Sequence, residues 1–244
     1  PPSSTQSTSR RQRQMCIRDR TGVARRILSM TPAWFGVTAR DGALAERITR
    51  IWVDDPSDDL VSVINTAMVL LADHELATST LAVRVAASVR SSPRAALTAG
   101  LATVEGDLHG SASRHAHELL VDAERRGAAD VLAGYRAARQ RVPGFGHSIY
   151  RRVDPRFQPL LARVRSLPDP NGRFAVVDEL LHTAAPSLPK EPNIDLALGA
   201  LTYVADLPAA APVFAIARIA GWTAHYLEEL DERPLRYRGL ARAR

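Results

Sequence analysis

Asp54-Asp55-Pro56-Ser57-Asp58-Asp59-Leu60-Val61-Ser62-Val63-Ile64-Asn65-Thr66-Ala67-Met68-Val69-Leu70-Leu71 sets the fold class of this chain. A proline and capping-type polar residues precede a run in which Leu60, Ile64, Met68 and Leu71 recur at steps of four and three, the spacing of one helix face. Outward from this segment the same signal repeats. Helices are expected over Leu81–Val89, Pro93–Val104, Arg114–Arg126, Ala128–Gln140, Gln158–Ser166, Phe174–Leu181, Ile194–Val204 and Pro212–Leu230, many separated by Gly or Pro. Few segments alternate with period two, and hairpin-type turn dipeptides are absent, so the fold class is all-α.

The 244 residues, 45% hydrophobic and 24% charged, suffice for one large or two small cores. No apolar run reaches the roughly 18 residues a bilayer span needs; the stretches around Leu60–Ala72 and Leu207–Ala217 are too short or carry proline. Cys16 is the only cysteine, which excludes a disulfide framework and multi-cysteine metal sites, so a cytoplasmic location is the default expectation. The net charge of +6 is concentrated at one end. Residues 1–20 hold Arg10, Arg11, Arg13, Arg18 and Arg20 against Asp19, with almost no aliphatic content. They are expected to form a disordered basic head foreign to the helical part, and a nucleic-acid partner is not expected.

The chemistry-bearing residues fall into five short segments. In order they are Ala72-Asp73-His74-Glu75; Leu108-His109-Gly110; Pro143-Gly144-Phe145-Gly146-His147-Ser148-Ile149-Tyr150 with Asp154-Pro155-Arg156; Pro192-Asn193-Ile194-Asp195; and Ala217-Arg218-Ile219-Ala220-Gly221-Trp222. A histidine after a Gly-x-Gly loop can meet a ligand beside backbone N–H groups, and an arginine nine residues on can hold a carboxylate.

From about residue 60 to about 240 this series resembles the citrate synthase family. The resemblance implies a large helical domain (21–110 and 206–244, lacking its N-terminal part) with a smaller one (111–205) inserted, and a ligand cleft between them. It also implies condensation of acetyl-CoA with oxaloacetate. Removing a weakly acidic methyl proton demands a carboxylate base and a donor to the developing enolate oxygen. By resemblance Asp195 is the base and His109 the donor to the thioester carbonyl, a role that suits a neutral imidazole. His147 would polarise the ketone and His74 hydrogen-bond the oxoacid. Arg156 and Arg218 would grip its carboxylates, with Arg236 contributed across a homodimer interface. Val142, Pro143, Gly144, Phe145 and Gly146 would lie along CoA, and Arg151 would meet a CoA phosphate.

No metal or cofactor is called for beyond the acyl-CoA substrate. Ser148, Ala77 and Ser111 depart from the residues common in the family, which leaves open propionyl-CoA as donor (2-methylcitrate synthesis) or a non-catalytic, regulatory paralogue. His115 and His117, two apart on one helix, point to different faces and read as solvated surface residues. His182 and His225 read as helix-packing residues.

Overall fold

In the computed structural model, which describes residues 22–106 and 109–233, eleven helices follow one another without a strand among the described residues. The first, α1, covers 22–34, and α2 is Leu44–Thr49. Helix α3 spans Asp58–Leu71, and its cap is Ser57, whose hydroxyl accepts from the Leu60 N–H at 3.3 Å. Then come α4 (Thr78–Ser88) and α5 (Pro93–Val104), the latter capped by Ser92 with Pro93 in its first turn. The rest are α6 (Ala112–Arg126), α7 (Ala128–Ala137), α8 (Phe157–Val164), α9 (Arg173–Ala184), α10 (Ile194–Val204) and α11 (Val213–Glu229).

The expected helices are all present, with displaced ends. Helix α7 stops three residues short of the expected Gln140. Arg139 takes a left-handed φ of 53°, and the Gln140 N–H returns to the Tyr135 carbonyl at 2.9 Å, a six-to-one closure that ends a helix. The expected disorder of residues 1–20 and the role of Arg236 fall outside the described residues.

Buried side chains form two clusters. The larger takes Leu60, Val63, Ile64 and Ala67 from α3 together with apolar faces of α6 to α10. The smaller joins Ile27 of α1, Val83 and Ala87 of α4, Ala96 and Leu97 of α5, and Ile219, Trp222 and Tyr226 of α11. Helix α11 contributes to both, which explains why it is apolar around most of its circumference.

Two glycines set close approaches that bear on the site. A Cβ at Gly199 would lie 2.8 Å from Ala116 Cβ, so α10 meets α6 backbone to backbone. At Gly221 the N–H of α11 donates to the Ala72 carbonyl at 2.9 Å, where a Cβ would come within 2.3 Å of that oxygen. That contact holds the chain after α3, with Asp73 and His74, against the turn of α11 that carries Arg218.

Candidate active site

The Gly-x-Gly loop is fixed to the start of α10 by a short antiparallel exchange. Phe145 bridges Pro192, the Gly146 N–H donates to the Glu191 carbonyl at 2.8 Å, and the Asn193 N–H donates to the Gly144 carbonyl at 2.9 Å. Gly144 sits at φ +78°, and a Cβ there would fall 2.7 Å from Leu196 Cβ, so only glycine fits. Asn193 then caps α10, accepting from the Asp195 N–H at 2.9 Å. The sequence Pro-Asn-Ile-Asp thus places Asp195 in the first turn of a helix, beside the loop that carries His147.

One cavity of about 570 Å³ gathers His74, His109, His147, Asp195, Arg156 and Arg218, together with Val142, Pro143, Gly144, Phe145 and Gly146. Eleven of the thirteen site residues expected from sequence therefore meet in one place, with no metal-type cluster among the described residues; Arg236 lies outside the described residues, and Arg151 is exposed and does not line the cavity. A second cavity, of about 580 Å³, adjoins the first. It shares the Val142–His147 loop and is bordered by Lys190 and Arg141.

The charge balance of the first cavity favours an anion. Arg218 is 2% exposed, its Nε and Nη1 have no hydrogen-bond partner, and its nearest carboxylate, Asp73, is 3.8 Å away. Burial pulls its pKa down to about 10, so it remains a cation at neutral pH. Arg156 is held flat by Asp154, which accepts from Nε and Nη2 at 2.9 Å each. The same carboxylate accepts the Arg156 N–H and, at 3.0 Å, the Ile194 N–H at the start of α10. Asp154 therefore locks the arginine to the helix that carries Asp195; sequence reading quoted this residue without giving it a role.

The three histidines are neutral. His74, packed 5.5 Å from Tyr150 and 5.2 Å from His147, is lowered to about 4 by burial and by Arg156 and Arg218; its Nε2 is buried without a hydrogen-bond partner. Burial and Arg156 also lower His147. Its Nδ1 accepts the Ile149 and Tyr150 N–H groups at 3.1 and 3.2 Å, so Nε2 bears the proton. That Nε2 lies 3.3 Å from Arg156 Nη2, two donors side by side, an arrangement suited to a shared anionic or carbonyl oxygen.

Burial and Arg218 lower His109 in turn. Its Nε2 receives the Ser79 N–H at 3.4 Å and lies 2.8 Å from Ser79 Oγ, which leaves the proton on Nδ1. Asp195 keeps some surface on the cavity, yet burial pushes its carboxyl up to about 6, against the pull of Arg156. A carboxylate at that value is a stronger base than an ordinary one and is still ionised at neutral pH.

His115 and His117 diverge as their spacing requires, but neither is a solvated surface residue. His115 lines the cavity, while His117 is half-buried with Nδ1 2.9 Å from Thr202 Oγ1 and its ring edge-on to Tyr203. The reason is that the first turns of α6 put His115 on the cavity side and His117 against α10, leaving Arg114 and Glu118 to face solvent. His182 is exposed, whereas His225 packs with Asp73, Glu228 and Arg84 beside the cavity's arginine.

Comparison with known proteins gives the family. Residues 8–242 match the family described as citrate synthase, C-terminal domain. The chain belongs to the citrate synthase family. It is 31% identical over 180 residues to a citrate synthase of Mycolicibacterium smegmatis, covering 71% of this chain and 48% of that protein. It is equally identical, over 180 residues, 71% of this chain and 46% of the other, to a 2-methylcitrate synthase of Mycobacterium tuberculosis. The chain thus spans about half the length of these curated relatives.

The fold is that of solved members. The citrate synthase from Pyrobaculum aerophilum, 24% identical, superposes with a TM-score of 0.78 over 95% of this chain and 63% of its own. The citryl-CoA lyase from Hydrogenobacter thermophilus, also 24% identical, gives 0.71 over 83% of this chain and 86% of its own. No helix among the described residues is long and apolar enough to cross a membrane.

Proposed function

We propose that this chain condenses acetyl-CoA with oxaloacetate to give citrate and CoA. The observation that carries the reading is the presence, in one cavity, of a raised carboxylate, a neutral histidine with Nδ1–H, and two buried arginines beside two further neutral histidines. Arg156 and Arg218 hold the oxoacid dianion, and His147 Nε2–H with Arg156 polarises its ketone. Asp195 takes a methyl proton from the acyl-CoA while His109 Nδ1–H donates to the thioester oxygen as charge builds there. The enolate carbon adds to the ketone carbon, the alkoxide takes up a proton, and water cleaves the thioester to release citrate and CoA. The loop of residues 142–146, beside the second cavity, would seat the pantetheine. Propionyl-CoA, giving 2-methylcitrate, is the alternative donor, supported by the equal identity to the two relatives.

The cleft would lie between a large domain (21–110 and 206–244) and a small one (111–205). The working form would be a cytoplasmic homodimer, with Arg236 entering the partner's cavity.

A second reading rests on the citryl-CoA lyase, whose fold aligns over most of both chains. In that reading the same groups run the carbon–carbon step backwards, cleaving citryl-CoA to acetyl-CoA and oxaloacetate without hydrolysis. The test supplies acetyl-CoA or propionyl-CoA with oxaloacetate and follows free thiol; citryl-CoA is supplied in parallel. Thiol release that falls at least about a hundredfold in Asp195→Asn supports the synthase. Cleavage of citryl-CoA with no thiol from the forward mixture supports the lyase. Wild-type turnover in Asp195→Asn would overturn both.

A further inference from the structure

We infer that Trp222, one helix removed from the cavity, is a positioning residue that fixes the tautomer of His109 through Ser79. This inference rests on the role given to His109 above. The geometry is a three-member chain across α11, α4 and the segment before α6. Trp222 Nε1 donates to Ser79 Oγ at 3.2 Å, and Ser79 Oγ lies 2.8 Å from His109 Nε2.

An indole N–H can only donate, so it occupies an acceptor site on the hydroxyl oxygen. The single hydroxyl proton is then directed to the remaining close partner, His109 Nε2. Ser79 and Trp222 are both fully buried, so solvent offers the hydroxyl no alternative. His109 Nε2 must accept, and its own proton is held on Nδ1. Without the indole N–H nothing fixes the rotation of the hydroxyl, which is then free to turn its proton away from Nε2 and accept from an Nε2–H instead. The long 3.4 Å backbone donor from Ser79 is then the one remaining group that favours the useful tautomer.

Packing gives the relay its rigidity. Gly100 of α5 sits against the indole and Val83 of α4, where a Cβ would come within 3.1 Å of the ring and 2.7 Å of Val83 Cγ2. Trp222 therefore cannot swing away from Ser79, and a serine in the first turn of a helix acts as an oriented donor.

The test uses the full chain with ¹⁵N-labelled histidine, His109 being assigned by its loss in His109→Gln. Long-range ring correlations distinguish the two neutral tautomers without any reliance on activity. The wild type should show His109 as the Nδ1–H form alone, and Trp222→Phe, which keeps the bulk and removes the donor, should show both tautomers. If a condensation or cleavage assay is active, kcat should fall about tenfold in Trp222→Phe, the worth of one hydrogen bond, with KM for the oxoacid within about twofold.

Ser79→Ala, a smaller change, gives a second route should the tryptophan variant fail to fold; it should show the same tautomer mixture, and in the double variant the two losses should not add. A pure Nδ1–H tautomer in Trp222→Phe, or in Ser79→Ala if only that variant folds, overturns the inference. Mixed tautomers with no condensation or cleavage in the wild type would uphold the relay and overturn the proposed activity.

Discussion

Replacing Asp195 by Asn should make the protein more stable at neutral pH while abolishing the proposed chemistry. Burial raises the Asp195 carboxyl from its ordinary value of 3.8 to about 6. The native state therefore holds this proton more tightly than the unfolded chain does. The sign follows: stability due to this group is greatest at low pH and is lost as pH rises from about 3.8 through 6. Above pH 6 the ionised carboxylate costs up to about 3 kcal/mol, two pKa units at 1.36 kcal/mol each. Part of the side chain faces the cavity, so roughly half of that ceiling, about 1–2 kcal/mol, is the expected gain of the variant at pH 7.5.

Asn keeps the shape of the side chain, and the bond from the Asp195 N–H to Asn193 is made by the backbone and survives. Urea unfolding of both proteins at pH 7.5, 5 and 4 should show the advantage of the variant shrinking at each step, to a few tenths of a kcal/mol at pH 4. An Asn variant no more stable than the wild type at pH 7.5, or one whose advantage is constant with pH, would refute the claim that desolvation sets this carboxyl.

Four further outcomes are expected. His74, lowered to about 4 against an ordinary 6.5, should cost the wild type about 1–2 kcal/mol as pH falls from 6.5 to 4, and His74→Gln should flatten that part of the pH–stability curve. The acid limb of kcat/KM should follow Asp195 near pH 6, with no inflection near 6.5 from histidines that stay neutral; an inflection there that disappears in His147→Gln would contradict the electrostatics described. Arg156→Lys should raise KM for the oxoacid by about tenfold or more, because a point charge cannot keep both hydrogen bonds to Asp154 and still present a donor beside His147, and steady-state kinetics will read it. Gly144→Ala should destabilise by about 2–3 kcal/mol in chemical denaturation, since it combines a left-handed φ with a Cβ 2.7 Å from Leu196.

The helical class was legible because apolar steps of three and four recur from Leu60 onwards and capping-type residues that include Ser57 precede them; the Ser92 and Asn193 caps emerge only in the structure. Helix ends were less legible. The stop at Ala137 depends on Arg139 accepting a left-handed φ, a cost that local sequence does not announce and that the six-to-one bond from Gln140 offsets. The surface reading of His115 and His117 failed for a related reason. Spacing fixes the angle between two side chains on a helix, but what each faces depends on α10 and the cavity, elements far away in sequence.

The candidate site divides in the same way between groups that line the cavity and groups that hold them. His109, His147, Asp195, Arg156 and Arg218 could be read because each sits in a short segment with its own pattern. Asp154, Ser79 and Trp222 could not, because their significance lies in single bonds across 40, 30 and 143 residues of chain. Yet the electrostatics depend on them. Burial holds the Asp195 carboxyl near 6 against the pull of Arg156, and Asp154, which pairs with two guanidinium nitrogens, adds a smaller push in the same direction while fixing the arginine beside it. A buried guanidinium and a raised carboxyl can share one cavity because burial acts on the carboxyl directly, while a buried aspartate holds the guanidinium in place and offsets part of its charge.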